Sequence, residues 1–75
     1  MSAFIAEQTR QRIYEKEIEK NEKEFKSVKN IIQEEYAGQY VVFKDGNVIA
    51  SAETDDDAMQ HVKIHPDAYV ELLRF

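Results

Sequence analysis

The sequence predicts an α+β fold, in which a long N-terminal helix precedes a ββαβ unit whose three strands form an antiparallel sheet in the order 2-1-3. Three observations support this prediction. Glycine and proline are absent from Ala3 until Gly38, and strong helix formers dominate that stretch. Asp45 and Gly46 separate two short runs rich in β-branched and aromatic residues, which is typical of a hairpin. A capped helical segment and a last apolar run then complete the unit.

The long helix is expected to run without interruption from Ser2 to Tyr36. At 1.5 Å per residue it would measure about 50 Å, so part of it should project beyond its own domain. Apolar residues at helical spacing form a seam along one face: Tyr14, Ile18, Phe25, Val28, Ile32 and Tyr36. Glu7, Gln11 and Asn21 fall in the same frame and break the heptad pattern. Asn21 is then either a register-setting residue in a helix pair or a solvated position, and we favour the second interpretation.

The chain divides after this helix into residues 1–37 and a ββαβ domain at residues 38–75. Its elements are a strand at residues 39–44, a strand at residues 47–52, a helix from Thr54 to about Ile64 or His65, and a strand from Tyr69 to Phe75. Thr54 and Asp57 resemble a capping box, and Pro66 ends the helix. A right-handed crossover returns the last strand beside the first.

Alternation along the strands assigns two faces to the sheet. A regular two-residue hairpin places Val42 opposite Ile49 and Val41 opposite Ala50. The face toward the short helix is expected to hold Val41, Phe43, Val48, Ala50, Val70 and Leu72. The other face holds Tyr40, Val42, Ile49, Tyr69, Leu73 and Phe75, and is too apolar to be solvated. We expect the seam of the long helix, from the same chain or from a second copy, to cover this face. The seam and this face together are the predicted interface.

Composition narrows the classes of function. The net charge is −5, and residues 37–75 carry three basic and seven acidic residues. This balance argues against duplex DNA as the partner of that half, because phosphate binding depends on clustered Lys and Arg, and we do not expect nucleic acid as a partner. The chain has no cysteine, which favours a cytoplasmic setting, and no apolar run approaches the ~20 residues of a membrane span. A domain of this size buries only about 60% of its unfolded surface. Self-association is therefore the expected source of additional stability.

One group of side chains suggests metal chemistry. Asp57, His61 and His65 are spaced four residues apart along the short helix, and a histidine pair at that spacing is a geometry that binds zinc. Ordinary roles explain the same residues: Asp57 caps the helix, His61 is a surface residue, and His65 suits the negative end of the helix dipole. We therefore assign no metal site, no cofactor and no catalytic residue, and we expect the protein not to be an enzyme.

The second half of the chain resembles a known family through several short motifs. These motifs are Tyr36-Ala-Gly38-Gln-Tyr40-Val-Val, the turn Asp45-Gly46-Asn-Val48, the segment Thr54-Asp-Asp-Asp-Ala58-Met and the closing strand after Pro66-Asp67. The stretch from about residue 36 to residue 75 resembles a short ββαβ domain-of-unknown-function family of bacteria and archaea. More distantly it is similar to HicB-type antitoxins, which bind a toxin and often DNA. The first resemblance implies a fold and no activity.

These observations predict a small, non-enzymatic protein-interaction module, an adaptor or accessory protein. It is expected to self-associate, as a homodimer or a larger assembly, and to bind a protein partner whose identity the sequence does not encode. The alternative is an antitoxin-like regulator that binds and neutralises a toxin.

Overall fold

The computed structural model describes residues 3–74, with side chains from Arg12 to Arg74. The elements are α1 (Ala3–Tyr36), β1 (Tyr40–Lys44), β2 (Asn47–Ala52), α2 (Asp55–Ile64) and β3 (Tyr69–Leu72). The strands form one antiparallel sheet in the order β2-β1-β3. The predicted fold class and strand order are therefore confirmed. Ser2, Phe75 and the side chains of Glu7 and Gln11 lie outside the described part of the chain.

Helix α1 is kinked where the sequence predicts a straight helix. Tyr14 has φ −112° and ψ 23°, which are not helical values. Neither proline nor glycine lies nearby, so the usual sequence signals of a kink are missing. The stretch at residues 15–36 is about 33 Å long at 1.5 Å per residue, which equals the 33 Å longest extent of the described part of the chain. Among the described residues, no helix has the length and apolar character needed to cross a membrane.

The hairpin turn forms as predicted, and a bulge follows it. Asp45 and Gly46 have φ values of 53° and 82°, as a type I′ turn requires at both central positions. Phe43 pairs with Val48, but Val42 pairs with Ala50, so that Ile49 is an additional residue in β2. The predicted pairing of Val42 with Ile49 is therefore wrong. A bulge adds one residue to one strand and shifts every later pair.

The bulge also separates two residues that were expected to share a face. Val48 packs against the core under α1, while Ala50 stands beside Val42 on the side of α2. Alternation of side chains across a strand would have placed Val48 and Ala50 together. The extra residue at Ile49 reverses that relation for the rest of β2.

The two faces of β1 are exchanged relative to the prediction. Val41 and Phe43 belong to the core that packs on α1, which leaves Val42, also buried, on the face toward α2. The cause is the register with β3, because Val42 lies opposite Val70 where the prediction grouped Val41 with Val70. A slip of one residue turns every side chain of a strand to the other face. The residues of β3 itself lie on their predicted faces.

The sheet lies between the two helices. Helix α1 packs on β1 and β3, and α2 packs on β1 and β2. The main core cluster consists of Phe25, Val41, Phe43 and Leu73, with Val28, Ile32, Tyr36, Val48 and Tyr69 packed around it. On the other face, α2 buries Ala58 and Val62. This helix begins at Thr54, whose hydroxyl accepts a 3.2 Å hydrogen bond from the Asp57 N–H, so the predicted cap is confirmed.

Candidate functional site

The helix seam that the sequence analysis assigned to the interface is occupied within the chain. The ring of Phe25 is fully buried and lies 5.4 Å from the ring of Phe43 and 5.4 Å from that of Tyr69. Val28, Ile32 and Tyr36 pack around the same cluster. Nearer the N-terminus, Ile18 is buried and Tyr14 is half-buried at the kink. Helix α1 is therefore a lid on its own sheet, and most of its seam is not a free surface.

Asn21 is the buried polar residue of this lid, so the predicted solvated position is wrong. Its side chain is 3% exposed. The Nδ2 atom donates a 2.8 Å hydrogen bond to the carbonyl oxygen of Asp67, and the Oδ1 atom accepts a 3.1 Å hydrogen bond from the N–H of Asp45. One amide thus joins α1 to the hairpin turn and to the loop before β3. The lysine of β1 holds the same loop, since Lys44 Nζ lies 3.1 Å from Asp67 Oδ1.

A second cluster of polar side chains links α1 to β3. Lys29 Nζ lies 2.7 Å from Glu71 Oε2, and the Tyr69 hydroxyl donates a 2.6 Å hydrogen bond to Glu71 Oε1. Burial by itself would raise the pKa of Glu71, but hydrogen bonds from Lys29 and Tyr69 and the charge of Lys29 lower it overall. Burial, followed by the contact with Glu71, raises the pKa of Tyr69. The group therefore holds an ionised carboxylate and a neutral phenol.

The lowered pKa of Glu71 predicts a pH dependence of stability. Since the folded-state pKa lies below the ordinary value of 4.5, this group stabilises the fold above about pH 4.5 and loses that contribution as the pH falls through the folded-state value. We expect the free energy of unfolding of wild type to fall more steeply with acidification than that of Glu71→Gln. Urea titrations between pH 6 and about pH 3 measure both slopes.

The comparison for this pH effect is Glu34→Gln, which removes the same charge from an exposed position of α1. Its acid slope should remain close to that of wild type. Equal slopes for wild type and Glu71→Gln would contradict the assignment of the carboxylate to this group.

Of the three side chains considered for metal binding, Asp57 and His61 lie on α2, and His65 is the residue that caps its C-terminal end. Asp57 stands in the capped first turn, and the carbonyl oxygen of His61 accepts the hydrogen bond of the His65 N–H. Among the described residues, no group of three or more His, Asp or Glu side chains is arranged to hold a metal ion. The observed contacts of Asp57 and His65 are those of helix ends.

The edge of the sheet formed by β3 carries an exposed apolar side chain. Leu72 in β3 is 37% exposed and lies opposite Tyr40, while Val70 beside it is half-buried. Helix α2 packs mainly on β1 and β2, and Leu72 on the same side of the sheet remains exposed. A shallow apolar groove lined by Gly38, Leu72, Leu73 and Arg74 continues the same region. We call Tyr40, Val70 and Leu72, with the outer backbone of β3, the β3 edge surface.

The remaining residues of the predicted interface are dispersed. Tyr40 belongs to the β3 edge surface, Val42 is buried on the α2 side, and Ile49 forms the bulge with 40% of its surface exposed. Tyr69 and Leu73 lie in the α1 core, and Phe75 lies outside the described residues. Alternation placed Leu72 on the face toward the short helix, and its exposure was not predicted. The sequence signal for this exposure is that Leu72 belongs to the last strand, which the strand order 2-1-3 places at an edge of the sheet.

Comparison with known proteins gives one match. Residues 32–70, more than half of the chain, match the model of a family of unknown function (DUF5678). The matched span contains the end of α1, the hairpin, α2 and the start of β3. The predicted resemblance of this half to a family without an assigned activity is confirmed. No curated protein and no solved structure gives a significant match.

Proposed function

Because the chain belongs to the DUF5678 family of unknown function, we propose from its own surface that it is a small, non-enzymatic protein-interaction module that self-associates. The observation that carries the proposal is the β3 edge surface, where a large aliphatic side chain, Leu72, is 37% exposed at a sheet edge that no other strand of the described residues covers. Unpaired strand edges with exposed apolar side chains bind further chains.

The proposal moves the interface away from the helix seam. Phe25 and its neighbours are enclosed by the sheet of the same chain, so an interface built on them would require α1 to detach. The β3 edge surface requires no rearrangement, since Leu72 is already exposed and β3 is an edge strand of the described sheet. The proposed setting is cytoplasmic, as expected for a chain without cysteine.

Substitution of Leu72 tests the proposal. We expect wild type to shift from monomer toward dimer as its concentration rises in sedimentation velocity, and Leu72→Lys to stay monomeric because a charge replaces the apolar contact. The comparison variant is Ile49→Lys, at a similarly exposed position (40%) on the opposite edge strand. This variant should associate as wild type does.

Two results would overturn the proposed function. One is a wild-type chain that remains a monomer at every concentration. The other is association of Leu72→Lys that equals that of wild type, while circular dichroism shows both chains to be folded.

A further inference from the structure

The backbone of β3 shows which of its groups face away from the sheet. The Leu73 N–H donates a 2.9 Å hydrogen bond to the carbonyl oxygen of Gln39, and the Leu73 carbonyl oxygen accepts one of 2.6 Å from the N–H of Gly38. The backbone groups of Leu73 therefore point toward β1. Alternate residues of an antiparallel strand direct their N–H and C=O groups to opposite sides. Those of Val70 and Leu72 consequently point outward, to the side where no strand follows.

The two edges of the sheet differ in how open they are. Strand β2 carries the bulge at Ile49, and bulges on edge strands hinder pairing with another chain. The register of β3 with β1 is regular over Tyr69–Leu72, and the strand contains no proline or lysine. The β2 edge is thus disrupted, and the β3 edge has the regular backbone that pairing with another strand requires.

We propose that two copies of this chain join through antiparallel pairing of β3 with β3, centred on Leu72, so that their sheets become one continuous sheet. The inference deepens the proposed function, on which it rests, by naming the partner as a second copy. Such a contact is isologous, because the same edge is used by both copies around a two-fold axis. It satisfies the outward N–H and C=O of Leu72 in both copies at once.

The position of the two-fold axis follows from the neighbouring residues. An axis at Glu71 would set two carboxylates directly opposite each other, which destabilises a strand pair. An axis at Val70 would require the N–H of Ala68 to face outward, although it already donates a 3.0 Å hydrogen bond to the carbonyl oxygen of His65. An axis at Leu72 avoids both problems. It sets Val70 opposite Arg74, whose carbonyl oxygen accepts a hydrogen bond from Gln33 Nε2 and keeps a second lone pair for the neighbouring strand. It also places each Leu72 side chain against its symmetry mate.

The residues around the β3 edge do not obstruct pairing of β3 with a second copy. On the α1 side, Lys29 and Tyr69 already hold Glu71, so its charge is compensated within each copy. On the other side, α2 lies over β1 and β2 and leaves Leu72 accessible. Pairing would therefore bury the exposed surface of Leu72 without displacing either helix.

A backbone change separates edge pairing from mere contact between leucine side chains. The full chain with N-methyl-Leu72, made by chemical synthesis, keeps the side chain and loses the outward N–H. We expect its dimer dissociation constant in sedimentation to rise by more than about tenfold, since both copies lose a hydrogen bond and gain a methyl group at the pairing line. N-methyl-Ser51, at an outward position of the other edge strand, should dimerise as wild type does.

A cysteine pair tests the register. Paired residues of antiparallel strands have Cα atoms about 5.5 Å apart, which lies within the range of disulfides. Because the chain has no cysteine, Leu72→Cys should form a covalent dimer in a glutathione redox buffer, and Ile49→Cys should not.

Failure of edge pairing and failure of the proposed function give different results. Wild-type dimerisation that N-methyl-Leu72 leaves unchanged, or equal crosslinking of the two cysteine variants, would overturn edge pairing while leaving the interaction module in place. A monomeric wild type would overturn both.

Discussion

Phe25→Ala is expected to lower the free energy of unfolding by about 3–5 kcal/mol. The ring is fully buried and contacts the rings of Phe43 and Tyr69 at 5.4 Å, so its removal leaves a cavity between α1 and the sheet. A chain of this size has a total stability of roughly 4–11 kcal/mol. The variant should therefore lose a large fraction of the free energy of unfolding, as urea titration followed by circular dichroism would measure.

The comparison is Ile31→Ala on the same helix, where the side chain is 79% exposed and its loss should change stability by less than about 0.5 kcal/mol. The effect of Phe25→Ala should not depend on protein concentration, because its contacts lie within one chain. A loss of stability that grows on dilution would instead indicate that the seam packs on a second copy. That result would contradict the lid arrangement of α1.

Asn21→Leu is expected to cost about 2–4 kcal/mol, although it replaces a polar residue by an apolar one in a buried seam. The substitution leaves the Asp45 N–H and the Asp67 carbonyl oxygen without their partners. Both hydrogen bonds are part-buried, so each group left unsatisfied should cost an amount in the lower part of the range of about 1–3 kcal/mol. A solvated or coiled-coil asparagine would give the opposite sign, since leucine favours both helix formation and an apolar seam.

The matched substitution is Asn30→Leu, at an exposed position of the same helix. It should leave the free energy of unfolding almost unchanged. Hydrogen exchange adds a local measurement, because loss of the Asn21 contact should increase exchange at the Asp45 amide before the strands open. Stabilisation by Asn21→Leu would show that the two hydrogen bonds contribute less than apolar burial does.

Much of the architecture followed from local sequence signals. The turn at Asp45 and Gly46 requires positive φ at two successive residues, and few other residue pairs adopt it. The capped start of α2 at Thr54 and its end before Pro66 depend on neighbouring residues only. These elements form as predicted because every residue that decides them lies within a few positions. The antitoxin-like role and the protein partner stay predictions.

The β3 edge surface was harder to predict from the sequence. Alternation assigned Leu72 to the short-helix face correctly, but it did not indicate that α2 covers β1 and β2 and stops short of β3. Exposure of Leu72 depends on where a helix lies on a sheet, which is decided by packing of distant residues. The pairing of Lys29 with Glu71 was missed for the same reason.

The sequence by itself determined the long α1, the ββαβ order and the antiparallel sheet, because helix propensity, turn geometry and strand periodicity are local properties. Only the tertiary structure decided which face of β1 meets α1 and what Asn21 does. A single extra residue at Ile49 or a one-residue slip of β3 exchanges the faces of a strand, and neither leaves a clear local signal. Asn21 bonds to backbone groups 24 and 46 positions away. Its role as an anchor exists only once the chain has folded.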